Sequence, residues 1–113
     1  FIGKNGQIMS GGTNPTVSSC GTNPTVVGDD NTFRVNVGSG VVTTCLITFA
    51  DPWKNSNGTN ISPVCIANER STGTIHSIGA SSTPTTVLIN HGVTSMADEP
   101  LSVMCRGSDN ATF

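Results

Sequence analysis

The strongest order in this chain is alternation. Between Phe33 and Val37 every second residue is apolar, with Arg34 and Asn36 between them, the period-two pattern of a strand buried on one face. A longer run follows, with Val41, Thr43, Cys45, Ile47 and Phe49 on one face and Val42, Thr44, Leu46 and Thr48 on the other. Gly38-Ser39-Gly40 separates the two runs and predicts a short hairpin connection. Asp51-Pro52-Trp53-Lys54 and the polar stretch 55–60 end the second run in a loop. Further strands are expected over 61–68, 73–78, 85–90 and 100–106, and shorter edge pieces over 7–10, 16–19 and 25–28. No segment sustains a 3.6-residue period, so essentially no helix is expected. About seven short strands divided by turn residues predict an all-β chain, an antiparallel β-sandwich or jelly-roll-like domain.

The chain contains one exact duplication. Gly12-Thr13-Asn14-Pro15-Thr16-Val17 returns as Gly21-Thr22-Asn23-Pro24-Thr25-Val26. Two copies do not make a solenoid, which needs three or more stacked units. Each copy reads as Asn-Pro turn chemistry followed by a strand start, because the residue before proline is pushed to extended geometry. Composition agrees with this reading. Val, Ile and Thr number 35, against 19 for Ala, Leu, Glu, Lys, Gln, Met and Arg together. β-Branched side chains fit a pleated sheet and lose rotamer freedom in a helix.

A length of 113 residues leaves room for a single β domain over 1–113, with 1–11 read as a lead-in from a longer parent chain and 108–113 as a terminal extension. The chain opens at Phe1 rather than Met, as expected of a processed product or an excised piece. Only five Lys and Arg against seven Asp and Glu leave no basic footprint for nucleic acid or an anionic membrane surface. No apolar run is long enough to insert across a bilayer.

Candidate chemistry is sparse. Cys20, Cys45, Cys65 and Cys105 contain no C-x-x-C pair, so the usual zinc signature is missing. Three disulfide connectivities are possible. Cys20–Cys45 with Cys65–Cys105 is favoured because each bond then joins a strand end to a later strand. Four buried thiols in a reducing cytosol are the alternative. His76 falls in an expected strand and His91 at a turn before Gly92, with no second ligand at convincing spacing, so both are read as surface or interface histidines. Asp29-Asp30-Asn31 lacks the spaced acids of a calcium loop and reads as a solvated turn. Asp98-Glu99 is an acidic pair in a turn without an opposing partner. No G-x-S-x-G elbow and no phosphate loop with its lysine is present, so no catalytic residue, metal or cofactor is expected. Trp53, the sole Trp in a chain without Tyr, either stacks on a sugar ring or caps the core by folding over Phe49. In the first case Asn55, Asn57 and Asn60 are placed to read hydroxyls around it. Asn57-Gly58-Thr59, Asn60-Ile61-Ser62 and Asn110-Ala111-Thr112 match the glycosylation acceptor pattern, which Asn-rich chains also produce by chance.

One set of motifs runs in a distinctive order. It comprises Pro15-Thr-Val-Ser-Ser-Cys-Gly21, then Asn23-Pro-Thr-Val-Val-Gly-Asp-Asp30, then Val35-Asn-Val-Gly-Ser-Gly-Val-Val-Thr-Thr-Cys-Leu-Ile-Thr-Phe49, then Ser62-Pro-Val-Cys65, closing with Leu101-Ser-Val-Met-Cys105. The series, with the lead-in Gln7-Ile8-Met9-Ser10-Gly11-Gly12, resembles small β modules near the C-termini of tailed-bacteriophage tail fibre, tailspike and other virion proteins, over roughly 7–107. The chain departs from that pattern in lacking Tyr on its last strand, in an enlarged 55–60 loop, and in the extension 108–113. The resemblance implies a virion appendage domain, usually homotrimeric.

Three functions follow as expectations. The first is a trimeric tail fibre or tailspike tip on the virion surface, serving assembly and attachment to a host cell-surface glycan or other receptor, with no enzymatic activity. Ser/Thr/Asn-rich loops on a rigid scaffold suit polar sugars, and three-fold symmetry multiplies weak contacts. The second is a purely structural trimerisation or capsid-decoration domain. The third, a secreted carbohydrate-binding module, is normally richer in Trp and Tyr. For the homotrimer, Val42 and Leu46 are the expected interface, because a strand apolar on both faces must be covered on both.

Overall fold

Burial alternates along 32–36 and 100–106, following the alternation of apolar residues there. The computed structural model describes residues 12–69, 78–92 and 95–107. Eight strands lie among them: β1 (Thr16–Ser18), β2 (Thr25–Gly28), β3 (Thr32–Asn36), β4 (Thr44–Thr48), β5 (Val64–Glu69), β6 (Gly79–Ser82), β7 (Thr86–Asn90) and β8 (Pro100–Arg106). No helix occurs among the described residues. The strands make two four-stranded antiparallel sheets, ordered β1-β4-β7-β6 and β2-β3-β8-β5, packed as a β-sandwich. The expected strand at 7–10, the segment 73–77 and the terminal extension 108–113 lie outside the described residues.

Inward positions of the two sheets fill one core. Phe33 and Val35 of β3 and Leu101 and Val103 of β8 meet Cys45 and Ile47 of β4 and Val87 and Ile89 of β7. Burying each large apolar side chain contributes about 1.5–3 kcal/mol. β6, with the sequence Gly-Ala-Ser-Ser, has no strand propensity of its own. It is an edge strand held by pairing to β7, Ala80 opposite Ile89 and Ser82 opposite Val87.

The duplicated hexapeptide enters the fold twice, once in each sheet. Its first copy leads into β1 and its second into β2. Val17 and Val26, equivalent in the two copies, both pack against the core. Asn14 of the first copy accepts a hydrogen bond from Gly28 N at 3.0 Å, at the far end of the strand begun by the second.

The connection 38–40 is not a hairpin. β3 and β4 belong to different sheets, so Gly38-Ser39-Gly40 carries the chain across the sandwich. The crossing is pinned by Gly38 N donating to Cys20 O (2.8 Å) and by mutual Thr22–Ser39 backbone bonds of 3.1 Å. Those partners take the bonds that a β3–β4 ladder would have used. The crossing also shifts the face pattern by one. Val41 is 90 % exposed and Val42 only 4 %, after which Thr43 and Thr44 are both half-buried before alternation resumes at Cys45. Val42 is therefore a core residue, which corrects its expected place on an outer face beside Leu46. The true hairpin of this region joins β2 to β3 through residues 29–31, with Gly28 paired to Phe33.

Cys20 is bonded to Cys45 and Cys65 to Cys105, and no free cysteine remains. Cys65 and Cys105 are direct cross-strand partners on β5 and β8, with Cα atoms 4.1 Å apart. Cys20 follows β1 and bonds to β4, its neighbour, across 4.3 Å. Each bond ties neighbouring strands; neither clamps one sheet onto the other.

Candidate functional site

At one end of the sandwich, the β2–β3 turn, the loop leaving β4 and residues 12 and 13 enclose a cleft of about 270 Å³. Asp29, Asp30, Asn31, Asp51, Pro52, Trp53 and Lys54 form most of its wall. The acids of the turn first serve the backbone. Asp29 is buried, and its Oδ1 accepts from Asn31 N (2.9 Å) and Thr32 N (3.2 Å), which closes the hairpin. This corrects its reading as part of a solvated turn. Asp30 grips the other sheet, with Oδ1 accepting from Ala50 N at 2.8 Å and Oδ2 from Asp51 N at 3.0 Å. The cleft is thus braced from both sheets.

Trp53 has a structural role and also lines the cleft. Its ring meets Phe49 edge to face, centroids 5.9 Å apart and planes at 74°, the fold-over alternative anticipated for it. Its backbone N donates to Pro84 O and its O accepts from Ile61 N. The indole Nε1 is buried and donates to no described group.

The expected companions of Trp53 are placed elsewhere. Asn55, Asn57 and Asn60 do not line the cleft; they belong to a tight hairpin just beyond it. Asn55 Oδ1 accepts from Asn57 N (3.0 Å) and Thr59 N (2.9 Å), so this side chain organises the turn instead of reading a ligand. Asn57 and Asn60 are exposed. The exposed charged and amide groups that share the cleft with Trp53 are Asp51, Lys54 and Asn31, beside the half-buried Asp30 and the buried Asp29. For Asp51 and Lys54 the signal was the Asp-Pro-Trp-Lys string that ends the strand; Asn31 comes from the β2–β3 turn.

The opposite end of the sandwich holds a cluster that spacing along the chain concealed. β5 ends at Glu69, β7 is followed by His91, and β8 is preceded by Glu99. His91 Nε2 lies 2.5 Å from Glu69 Oε1 and 3.7 Å from Glu99 Oε2. The side chains of His91, Glu69 and Glu99 are 0, 8 and 19 % exposed. His91 is thus buried between two carboxylates, not a surface histidine, and Glu99 faces a partner after all. His91 N donates to Thr43 O (2.8 Å), and Glu99 O accepts from Val37 N (2.9 Å), which fixes both backbones. The carboxylates come from 22 residues before His91 and eight after it, separations that carry no motif. His76 lies outside the described residues.

Large apolar side chains are also exposed. On the outer face of the second sheet Ile66 and Met104 are cross-strand partners, with Val64 one step along β5 and Val27 on β2. On the first sheet Leu46 pairs with Leu88, both on its outer face. Comparison with protein families, characterised proteins and solved structures found no match.

Proposed function

We propose that this chain is an appendage module of a bacteriophage virion, a tail fibre or tailspike tip that forms a homotrimer and attaches to a glycan of the host cell surface. It is a binding and assembly module, not an enzyme. The observation that carries the reading is the cleft at one end of a doubly stapled sandwich, where an aromatic ring, three carboxylates, an amide and an ammonium converge. Sugar rings offer an apolar face and a rim of hydroxyls. An indole suits the first, and carboxylate, amide and ammonium groups suit the second. Placement at the end of the strands, on loops braced by Asp30, presents the cleft outward from a rigid scaffold.

The test is a glycan microarray with an adsorption assay on host cells, comparing the wild-type chain with Asp51→Ala and Lys54→Ala. Both side chains are exposed and remote from the core, so the variants keep wild-type melting and lose binding. A wild-type chain that binds neither sugars nor cells overturns the attachment reading. A purely structural trimerisation module then remains, which the exposed Ile66–Met104 face favours.

A further inference from the structure

We propose that Glu69, His91 and Glu99 form a binding site for a divalent transition metal of the Zn²⁺ class, joining one sheet of the sandwich to the other. The ligand atoms His91 Nε2 and one carboxylate oxygen from each glutamate lie within 4.8 Å of one another. Zinc bonds of about 2.0–2.2 Å to nitrogen and oxygen set ligand atoms roughly 3.4 Å apart in a tetrahedron. The 3.7 Å between His91 Nε2 and Glu99 Oε2 already fits that edge, and the 2.5 Å contact to Glu69 needs to open by about 1 Å.

An acceptor without a donor argues in the same direction, since a buried polar atom left unpaired is costly. Glu99 Oε2 is buried and accepts no hydrogen bond from any described residue, although it is directed at the imidazole. A dication in place of the proton shared by His91 and Glu69 gives Glu99 Oε2 a partner as well. That proton leaves to solvent as the metal binds, and Nε2 turns its lone pair to the metal. An imidazole among the ligands favours zinc, copper, nickel and iron over magnesium and calcium, and two carboxylates without thiolate disfavour Cu(I). Three protein ligands leave a fourth position for water or another donor.

The site also supplies what the disulfides do not. Glu69 belongs to the second sheet and His91 follows a strand of the first, whereas both S–S bonds tie neighbouring strands. A metal here is the cross-sheet clamp, at the end opposite the aspartate cleft.

The full chain, stripped with EDTA, is titrated with ZnCl₂ by calorimetry and melted with and without it, with MgCl₂ and CaCl₂ in parallel. One zinc per chain is expected, with a rise in Tm on the order of ten degrees near a hundredfold excess over Kd, and no response to magnesium or calcium. Glu99→Gln keeps the side-chain shape and leaves no new buried charge, so its circular dichroism stays native while the zinc response is lost. The visible spectrum of the Co²⁺ form gives a second readout, showing a low-coordinate nitrogen–oxygen site in the wild type and none in the variant. A folded wild-type chain with neither zinc heat nor a Tm shift overturns the proposal. So does zinc binding kept at wild-type affinity in both Glu99→Gln and His91→Gln.

Discussion

Gly38 shows how a single residue governs the crossing between sheets. A Cβ built there would lie 2.4 Å from Thr22 O and 2.6 Å from Thr22 N. Both are backbone atoms held by the Thr22–Ser39 bonds, so neither can rotate aside as a side-chain tip would. Gly38→Ala is therefore expected to destabilise by about 1–3 kcal/mol, read from the midpoint of urea unfolding. Trp53 gives a second test at this scale. Its ring packs on Phe49 and closes over Gly107, where an added Cβ would come within 3.0 Å of the indole. Trp53→Ala should destabilise in the same measurement by less than the roughly 3–5 kcal/mol of a fully buried ring, because Trp53 is half-buried at the cleft. Adsorption data on that variant alone would mix folding with binding, which is why Asp51 and Lys54 are the better probes of the cleft. The Trp53 environment was legible in part: its nearness to Phe49 follows from the sequence, but the carboxylates beside it come from a turn some twenty residues earlier.

Strands and their connections were legible where the pattern is local and obscure where it is not. β8 runs from Pro100 to Arg106, as the alternation of Leu101, Val103 and Cys105 indicates, because every residue of such a strand is sorted by its own face. The 38–40 connection misled because Gly-Ser-Gly serves a hairpin and a sheet crossing equally. The choice was made by Cys20–Thr22, distant in sequence, which occupies the hydrogen bonds of that turn. The Glu69–His91–Glu99 cluster was illegible for the same reason: three strand ends converge only after two sheets have paired. The two disulfides close loops with sequence separations of 25 and 40. In the chain-entropy model these contribute about 3.5 and about 4 kcal/mol. Replacing Cys65 and Cys105 together by Ser should consequently lower Tm at least as much as replacing Cys20 and Cys45. Calorimetric melting of the two double variants checks the order, and the reverse order would show that loop length is not what governs these staples.

For the whole molecule, the proposed homotrimer raises the question of which broad face would meet another copy. Val42 is enclosed in the core, which leaves two outer faces with apolar side chains. The first sheet offers Leu46 beside Leu88, the former half-buried. The second offers Ile66, 62 % exposed, beside Met104, with Val64 next along the strand and Val27 on the far edge strand. The second face thus loses more apolar area to water in a lone chain, and covering it gains more at about 25 cal/mol per Å². A homotrimer built on it should scatter light as roughly 35 kDa, three times the 11.6 kDa of the chain. Ile66→Asp places a charge where the neighbouring copy would lie, in a side chain that contributes little to its own core. The variant should keep the far-ultraviolet spectrum of the wild type and scatter as a monomer. Leu46→Asp, on the opposite face, should leave the trimer intact. If Leu46→Asp alone dissociates it, the first sheet is the contact. If the wild type is already a monomer at high concentration, the exposed Ile66–Met104 face serves a different partner, and the avidity that three clefts would lend to sugar binding is lost with it.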